Sequence, residues 1–312
     1  MVSRGRDLPK PRFLSARTAA VACATLRRHL APSLGLLVLA ACAPTVNLTR
    51  LDGPRFEGHY ASAPDTVSPG RGPIRVVTFN IKLSRQIDRA IEVLKREPLR
   101  SADIFALEEM DDAGVERIAR ALGLDYLYFP SAVHPSNHRY FGPAVLSRWP
   151  IERGWKLVLP HAGAQRHQRR TATGAVVLVR GTPVRVYAVH LELQTRVSRE
   201  ERRDQAEAIL TDAAGSPDPV VIAGDFNSHD IGRYLEKQGY RWPTERVGRT
   251  TALFSFDHIF ARGLTPPAEP VAAGVVRDKL GASDHHPVWA DLMLEPAPGR
   301  PGAPAAGLPP IR

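Results

Sequence analysis

Cysteine is nearly absent from this chain. Only Cys23 and Cys42 occur among its 312 residues, and both precede the part that carries core patterning. A structural disulfide or a thiolate metal centre is therefore excluded there. Long apolar runs are missing too. The most apolar stretch, residues 34–41, has eight residues, or twelve counted from Leu30, which is too short to span a bilayer. No internal repeat is present, which excludes solenoid and propeller arrays. A strong charge of one sign also disappears once the chain is divided. The formal net charge is +10, a value that invites nucleic acid or anionic lipid as a partner. Seven of the 42 basic and one of the 32 acidic residues lie within 1–41, however, leaving 35 against 31 and a net of +4 beyond them. The remaining composition, 43% hydrophobic and 24% charged, is that of an ordinary soluble chain with material for one large core or two modest ones.

The N-terminus reads as an address. Arg27, Arg28 and His29 precede the apolar run and small residues end it, the pattern of an export signal. Leu39-Ala40-Ala41-Cys42 resembles a bacterial lipobox, in which the cysteine is diacylated and becomes the mature N-terminus. Acyl chains contribute roughly 0.8 kcal/mol per buried CH₂, and two of them anchor stably. Ala43 replaces the Asp that signals inner-membrane retention in such lipoproteins. That points to the outer membrane or cell envelope, with the domain outside the cytoplasm. The expected organisation is a signal segment (1–41), a lipidated Cys42 with a flexible Pro/Gly/Ser tether (42–73), a folded unit (74–294) and a disordered Pro/Ala/Gly-rich tail (295–312).

Within the folded unit, residues 74–80 and 103–107 read as buried strands. Ser84 is a candidate cap for a helix showing Ile87, Ala90, Ile91 and Leu94 at helical spacing. A second helix is expected over 113–122. Further strands are expected at 126–129, 144–147, 175–180 and 184–190, with Gly181-Thr182-Pro183 as the turn between the last two. Ser198-x-x-Glu201 is a capping box opening a helix to about 213. Residues 220–223 form a buried strand and 231–238 a short helix, and strands at 256–260 and 288–294 complete the set. The mix is neither a clean βαβ alternation nor all-β.

The chemistry-bearing residues collect at strand ends. Asn80 ends the first strand, Glu108-Glu109 follow the second, and His190 ends another. Gly224-Asp225-Phe226-Asn227 follows 220–223. Asp257-His258 opens 256–260, and Asp284-His285 stands just before the last strand. Strand ends that converge on one mouth gather carboxylates, amides and imidazoles. Such an oxygen-rich set suits Mg²⁺ or Mn²⁺. A His held by a carboxylate keeps its tautomer and its basicity.

Thr78-Phe79-Asn80, Leu107-Glu108-Glu109, Ala188-Val189-His190-Leu191, Gly224-Asp225-Phe226-Asn227, Phe256-Asp257-His258-Ile259 and Ser283-Asp284-His285 together resemble the endonuclease/exonuclease/phosphatase family. That family includes DNase I, exonuclease III-type AP endonucleases, inositol polyphosphate 5-phosphatases and bacterial sphingomyelinases. The resemblance covers about 74–294. It implies an α/β (α+β) four-layer sandwich, DNase I-like, with two facing mixed sheets flanked by helices. It also implies site roles. Asn80 and Glu109 match metal-side residues, and Asp284 a further direct or water-mediated ligand. Asp225 matches the residue that orients or deprotonates the attacking water, and Asn227 the amide that positions water and phosphoryl group. His285 matches the catalytic imidazole, Asp257 the carboxylate that orients it, and His190 a second imidazole on the phosphate. Glu108 departs from the family's usual Gln.

Other residues are read beside this set. Arg166, Arg169 and Arg170 cluster with His161 and His167, and Arg170 is the preferred substrate-binding residue because guanidinium matches phosphate bidentately. Tyr140-Phe141 reads either as a stacking platform for a base or as a core edge. His258 and His286 are expected on the opposite strand face from their neighbours. The expected reaction is water attack at phosphorus in a phosphodiester or phosphomonoester, nucleic acid included. The alternative is a sphingomyelinase- or inositol-phosphatase-like hydrolase of lipid head groups or small phosphate esters. The sequence shows no membrane-penetrating hairpin that would favour lipid. Retention of Asp225, Asn227 and His285 argues against an inactive scaffold, and no protein partner is inferred.

Overall fold

The structure, a computed structural model, describes residues 45–62, 72–164, 166–268 and 272–295. The chain divides into two units, Met1–Ala43 and Pro44–Arg312, and the described residues all belong to the second. The expectations for the signal segment, for Cys42 and for the tail beyond Glu295 fall outside these residues. Among the described residues no helix is long and apolar enough to cross a membrane.

The strands in chain order are β1 (Val46–Asn47), β2 (Phe56–Gly58), β3 (Ile74–Asn80), β4 (Ile104–Met110), β5 (Asp125–Tyr128), β6 (Ala132–Val133), β7 (Tyr140–Ser147) and β8 (Ile151–Ala162). They continue as β9 (Arg169–Val179), β10 (Thr182–His190), β11 (Val220–Asp225), β12 (Asp257–Arg262), β13 (Leu264–Thr265), β14 (Ala273–Val275) and β15 (Val288–Leu294). The helices are α1 (Ile87–Leu94), α2 (Asp112–Leu122), α3 (Arg199–Ala214) and α4 (Ile231–Lys237). One sheet has ten strands along the path β1-β6-β7-β4-β3-β15-β13, with β14 on β15 and the β2–β5 pair joined to β7. The other has the order β12-β11-β10-β9-β8. Each sheet contains a single parallel pair, β3 with β4 and β10 with β11. A parallel pair needs a crossover; α1 and α3 provide the two.

Alternation along the strands builds three apolar layers. Val76, Ile104, Val145, Val186, Ala188, Val221, Ile259 and Val288 fill the space between the sheets. Phe79, Leu107 and Leu146 face outward against Ile87, Val93, Val115 and Ile118 of α1 and α2. Tyr187, Ile222 and Phe260 face outward on the other sheet, against Ile209 of α3 and Ile231 and Leu235 of α4. The order of layers is helices, sheet, sheet, helices, the expected α+β sandwich.

Three local expectations need correction. The tether is not free over its described part: β1 pairs with β6 and β2 with β5. The segment is short of apolar residues, but its backbone groups find partners on sheet edges, Phe56 packs on Tyr128 and Tyr140, and the buried Lys156 ammonium donates to the carbonyls of Leu48 and Gly53. Ser84 does not cap α1. Gln86 holds the cap position with no side-chain bond, while Ser84 accepts from the backbone N–H of Asp111. The β9–β10 turn is Arg180-Gly181, both at positive φ (51° and 79°), the two-residue form that matches strand twist. Besides β1 and β2, the short strands β6, β13 and β14 and the long strand β8 were not foreseen. β8 is an edge strand in which glycine, proline and charged residues break up any alternating pattern. The Ser198–Glu201 capping box is present with both of its bonds.

Candidate active site

The strand faces decide which side chains meet. On β10 and β11 the residues that precede His190 and Asp225 at steps of two, Val186, Ala188, Val221 and Ala223, lie between the sheets. His190 and Asp225 therefore emerge at the top of that layer, directly paired across the parallel register. Asp257 lies opposite Asp225 on the antiparallel side. Asn80 follows Val76 and Thr78 on the facing sheet. The Gly224 position must lack a side chain, because a Cβ there would fall 1.9 Å from the carbonyl oxygen of Val189.

β4 would send Glu108 inward and Glu109 outward by alternation alone. Instead the β4–β7 register shifts between Leu107 and Met110, and Glu109 takes a left-handed backbone, φ 57°. A bulge of this kind re-aims a side chain, and it turns Glu109 toward Asn80 while Glu108 stays buried on Thr78. Glu109 Oε1 lies 3.4 Å from Asn80 Nδ2, and its Oε2 accepts from the Leu83 N–H at 3.1 Å. Lys82, Leu83 and Ser84 form a run of positive φ (47°, 56° and 52°). Each such non-glycine residue costs on the order of 1 kcal/mol. The run aims the Lys82 and Leu83 N–H groups at Asn80 Oδ1 (3.0 Å) and at Glu109, which offsets that cost at the site itself.

Asp225 is the hub. Its Oδ1 accepts from the Asn227 N–H at 2.8 Å, and its Oδ2 lies 3.1 Å from Asn80 Nδ2, 3.4 Å from His190 Nε2 and 3.8 Å from His285 Nε2. Asn227, at φ 49°, donates one amide hydrogen to Leu191 O. His285 turns Nδ1 to both oxygens of buried Asp257, at 2.9 and 3.0 Å. Thus seven of the sequence-selected residues, Asn80, Glu109, His190, Asp225, Asn227, Asp257 and His285, converge on one mouth. Asp284 stands apart at the rim. Its half-exposed carboxylate pairs with Lys82 Nζ at 3.0 Å.

Charge follows from burial and neighbours. Burial alone would lower the His285 pKa, but Asp257 and Asp225 outweigh it and raise the group to about 10. Burial, then the positive charges of Arg170, His285 and Arg196, hold His190 well below the usual histidine range. Burial raises Asp225, an effect opposed by His285 and reinforced by Asp257. Burial followed by the carboxylates of Asp257 and Asp225 pushes Glu108 far up. Burial also raises Glu109, against the pull of Arg170.

These carboxyls outnumber the cations beside them, and the donor set is mostly oxygen. Asn80 and Glu109 fit a hard divalent ion. A second group, Asp225, Asp257 and His285, brings its donor atoms within 4.8 Å of one another, but Asp257 already occupies His285 Nδ1.

Arg170 requires a correction. It is 4% exposed, and all three guanidinium nitrogens are engaged by Glu192 and His190. The two Glu192 oxygens take the Nε and Nη2 edge that a bidentate phosphate contact would use. Glu192 was missed, although its place two residues beyond His190 was the available signal. Phe141 is buried beside Arg170 and His190, the core-edge reading. His258 faces outward among Phe226, Trp242 and Phe260, as the alternation of faces predicts. An exposed apolar element that the sequence did not reveal is Leu253 and Phe254, 70% and 47% exposed. They lie on a turn closed by the N–H groups of Thr250 and Thr251 on Phe254 O, three residues before Asp257.

Residues 77–285 match the family model described as Endonuclease/Exonuclease/phosphatase family. The chain belongs to that family. The endonuclease/exonuclease/phosphatase fold is equally clear from solved structures. An endonuclease/exonuclease/phosphatase from Beutenbergia cavernae DSM 12333 matches with a TM-score of 0.58 at 21% identity, over 72% of each chain. TDP2 from D. rerio, complexed with single-strand DNA product, matches at 0.55 and 20%, over 70% of this chain and 98% of its own. Sphingomyelinase C from Streptomyces griseocarneus matches at 0.51 and 19%, over 70% and 99%. At these identities the likeness speaks for the fold. A search of curated proteins finds no match. The family match, residues 77–285, spans all of the converging residues from Asn80 to His285.

Proposed function

We propose that this chain is a divalent-metal-dependent phosphoesterase that directs water at phosphorus, chiefly in phosphodiesters and nucleic acids. The observation that carries this reading is Asp225 Oδ2, within 3.1 to 3.8 Å of Asn80, His190 and His285. One carboxylate oxygen is thereby surrounded by three groups that can donate to a phosphate. Asn80 and Glu109 would hold the ion, Mg²⁺ or Mn²⁺, with Asp284 and Lys82 at the rim. When bound, such an ion neutralises phosphate oxygens in a way no side chain here can. Asp225, made more basic by burial, orients the water and accepts its proton as the new P–O bond forms. His285, protonated and held by Asp257, supplies a proton to the departing oxygen as the old bond breaks. Asn227 and His190 donate to the non-bridging oxygens.

The setting proposed for this activity is the cell envelope, with Cys42 diacylated. Cys42→Ser then moves the protein from the membrane to the soluble fraction, and an unchanged membrane fraction refutes the anchor. Catalysis is tested by turnover of plasmid DNA, single-stranded DNA, RNA, sphingomyelin, inositol phosphates and bis-p-nitrophenyl phosphate, with Asp225→Ala as the blank. Loss of activity with chelator and its return with Mg²⁺ is the expected result. Persistence in chelator sinks the metal-dependent reading.

The Leu253–Phe254 turn supports a second reading, hydrolysis of lipid head groups. Phe254 stacks on Phe256 at 4.9 Å, and Arg249 and Arg277 are exposed beside the turn, Arg249 bonded to the carbonyl of Ala252 and Arg277 to that of Arg249. An apolar tip among cations suits a phospholipid surface. Leu253→Ser with Phe254→Ser is expected to slow turnover of vesicle-borne sphingomyelin while leaving bis-p-nitrophenyl phosphate unchanged. Equal effects on both remove the lipid reading.

A further inference from the structure

We infer that Arg170, gripped by Glu192, is a positioning residue that locks the His190 ring in one tautomer, with a bare Nδ1 and a hydrogen on Nε2. Arg170 Nη1 lies 3.1 Å from His190 Nδ1. A guanidinium has hydrogens to give and no acceptor, so Nδ1 must receive this bond with its lone pair. The ring hydrogen is then on Nε2, the nitrogen 3.4 Å from Asp225 Oδ2. His190 is thereby a fixed donor at the mouth, unable to serve there as a base.

The clamp is itself held. Arg170 Nε and Nη2 meet the two Glu192 oxygens at 3.1 Å each, in the fork geometry of a bidentate pair. Glu192 Oε1 also accepts from the Leu193 N–H at 3.0 Å and lies 3.6 Å from Arg196 Nη1. The Glu192 backbone N–H is fixed by Gln205 Oε1 at 3.0 Å. Phe141 lies 5.4 Å from the Arg170 guanidinium and 5.8 Å from the His190 ring, limiting the swing of both. Arg170, Glu192 and His190 are 4%, 0% and 3% exposed, so no solvent competes for Nδ1. An Arg–Glu pair buried this deeply contributes little net stability over an apolar substitute. Its role is to determine which nitrogen of His190 faces the substrate.

The catalytic consequence rests on the phosphoesterase reading above, whereas the tautomer does not, and the test separates them. The full-length chain is labelled with ¹⁵N at histidine, and the ring nitrogens of His190 are observed by NMR without metal. The expected wild-type signal is a protonated Nε2 and an unprotonated Nδ1; a protonated Nδ1 overturns the inference. Arg170→Met alone strands a buried carboxylate, so the comparison variant is Arg170→Met with Glu192→Met, which removes both charges together. In it the His190 signals are expected to average between tautomers. With Mg²⁺ and bis-p-nitrophenyl phosphate, kcat should fall about fivefold, within the loss expected for replacing the ring itself, with KM changed less than about twofold. An unchanged tautomer in the double variant overturns the positioning role. A raised KM with kcat retained would make Arg170 a substrate clamp after all. If the wild type shows no turnover, the phosphoesterase reading fails while the NMR result still decides the inference.

Discussion

Two imidazoles, His190 and His285, face the same carboxylate oxygen from opposite walls of the mouth, and their far nitrogens meet opposite charges. His285 Nδ1 meets the Asp257 carboxylate; His190 Nδ1 meets the Arg170 guanidinium. The carboxylate requires a hydrogen on Nδ1 and favours the cation. The guanidinium requires a lone pair on Nδ1 and disfavours the cation. One ring is thus built to carry and release a proton, the other to donate a hydrogen bond while staying neutral. The difference shows that a histidine's role here is set by what stands behind it, one bond away from the substrate.

The largest test of this contrast is replacement of each ring by an amide donor. His285→Gln is expected to lose 10²-fold or more in kcat, because an amide cannot transfer a proton. His190→Gln should retain activity to within about tenfold, since an amide N–H still donates. Steady-state turnover of both variants checks this, and equal losses would erase the distinction. Next in size is Asp257→Asn, which keeps an acceptor for Nδ1 but removes the charge. A loss of about tenfold in kcat is expected.

The same substitution has a pH signature in the metal-free protein. The His285 pKa is raised from 6.5 to about 10 in the folded state. Its contribution to stability is therefore fully present below about pH 6.5 and is lost as pH rises through about 10. The melting-temperature gap between wild type and Asp257→Asn should narrow over that range. A gap that widens would contradict the Asp257–His285 pairing. The smallest expected effect is Glu108→Gln. Glu108 is fully buried, accepts from Thr78 Oγ1 at 3.0 Å and is pushed strongly toward its neutral form. An uncharged amide of the same shape should change stability by no more than about 1 kcal/mol. A larger loss, read from denaturant midpoints, would mean that Glu108 is ionised and belongs with the metal-side carboxylates.

Much of this site was legible because its residues fall at strand ends, where apolar alternation stops at a polar side chain. Asn80, His190, Asp225 and Asp257 follow from that pattern, and the structure brings them together. Arg170 was misread for a physical reason. Its preference for phosphate is a property of the residue type, and the Glu192 carboxylate that claims it lies 22 positions away. Ser84 looked like a helix cap because serine favours caps, yet it serves Asp111. The docked 45–62 segment looked like linker because its hold comes from backbone pairing with sheet edges, which composition does not record.

The sequence by itself determined most of the longer strands, the membership in the family and most of the polar set, because strand periodicity and motif order are local or sequential properties. Tertiary structure decided the bulge that aims Glu109, the left-handed run that braces it, the burial of Arg170 and the exposure of Leu253 and Phe254. It also decided the tautomers of the two histidines. A ring nitrogen's state depends on the partner placed within hydrogen-bonding distance and on the exclusion of water around the pair, and both arise only when distant segments fold together.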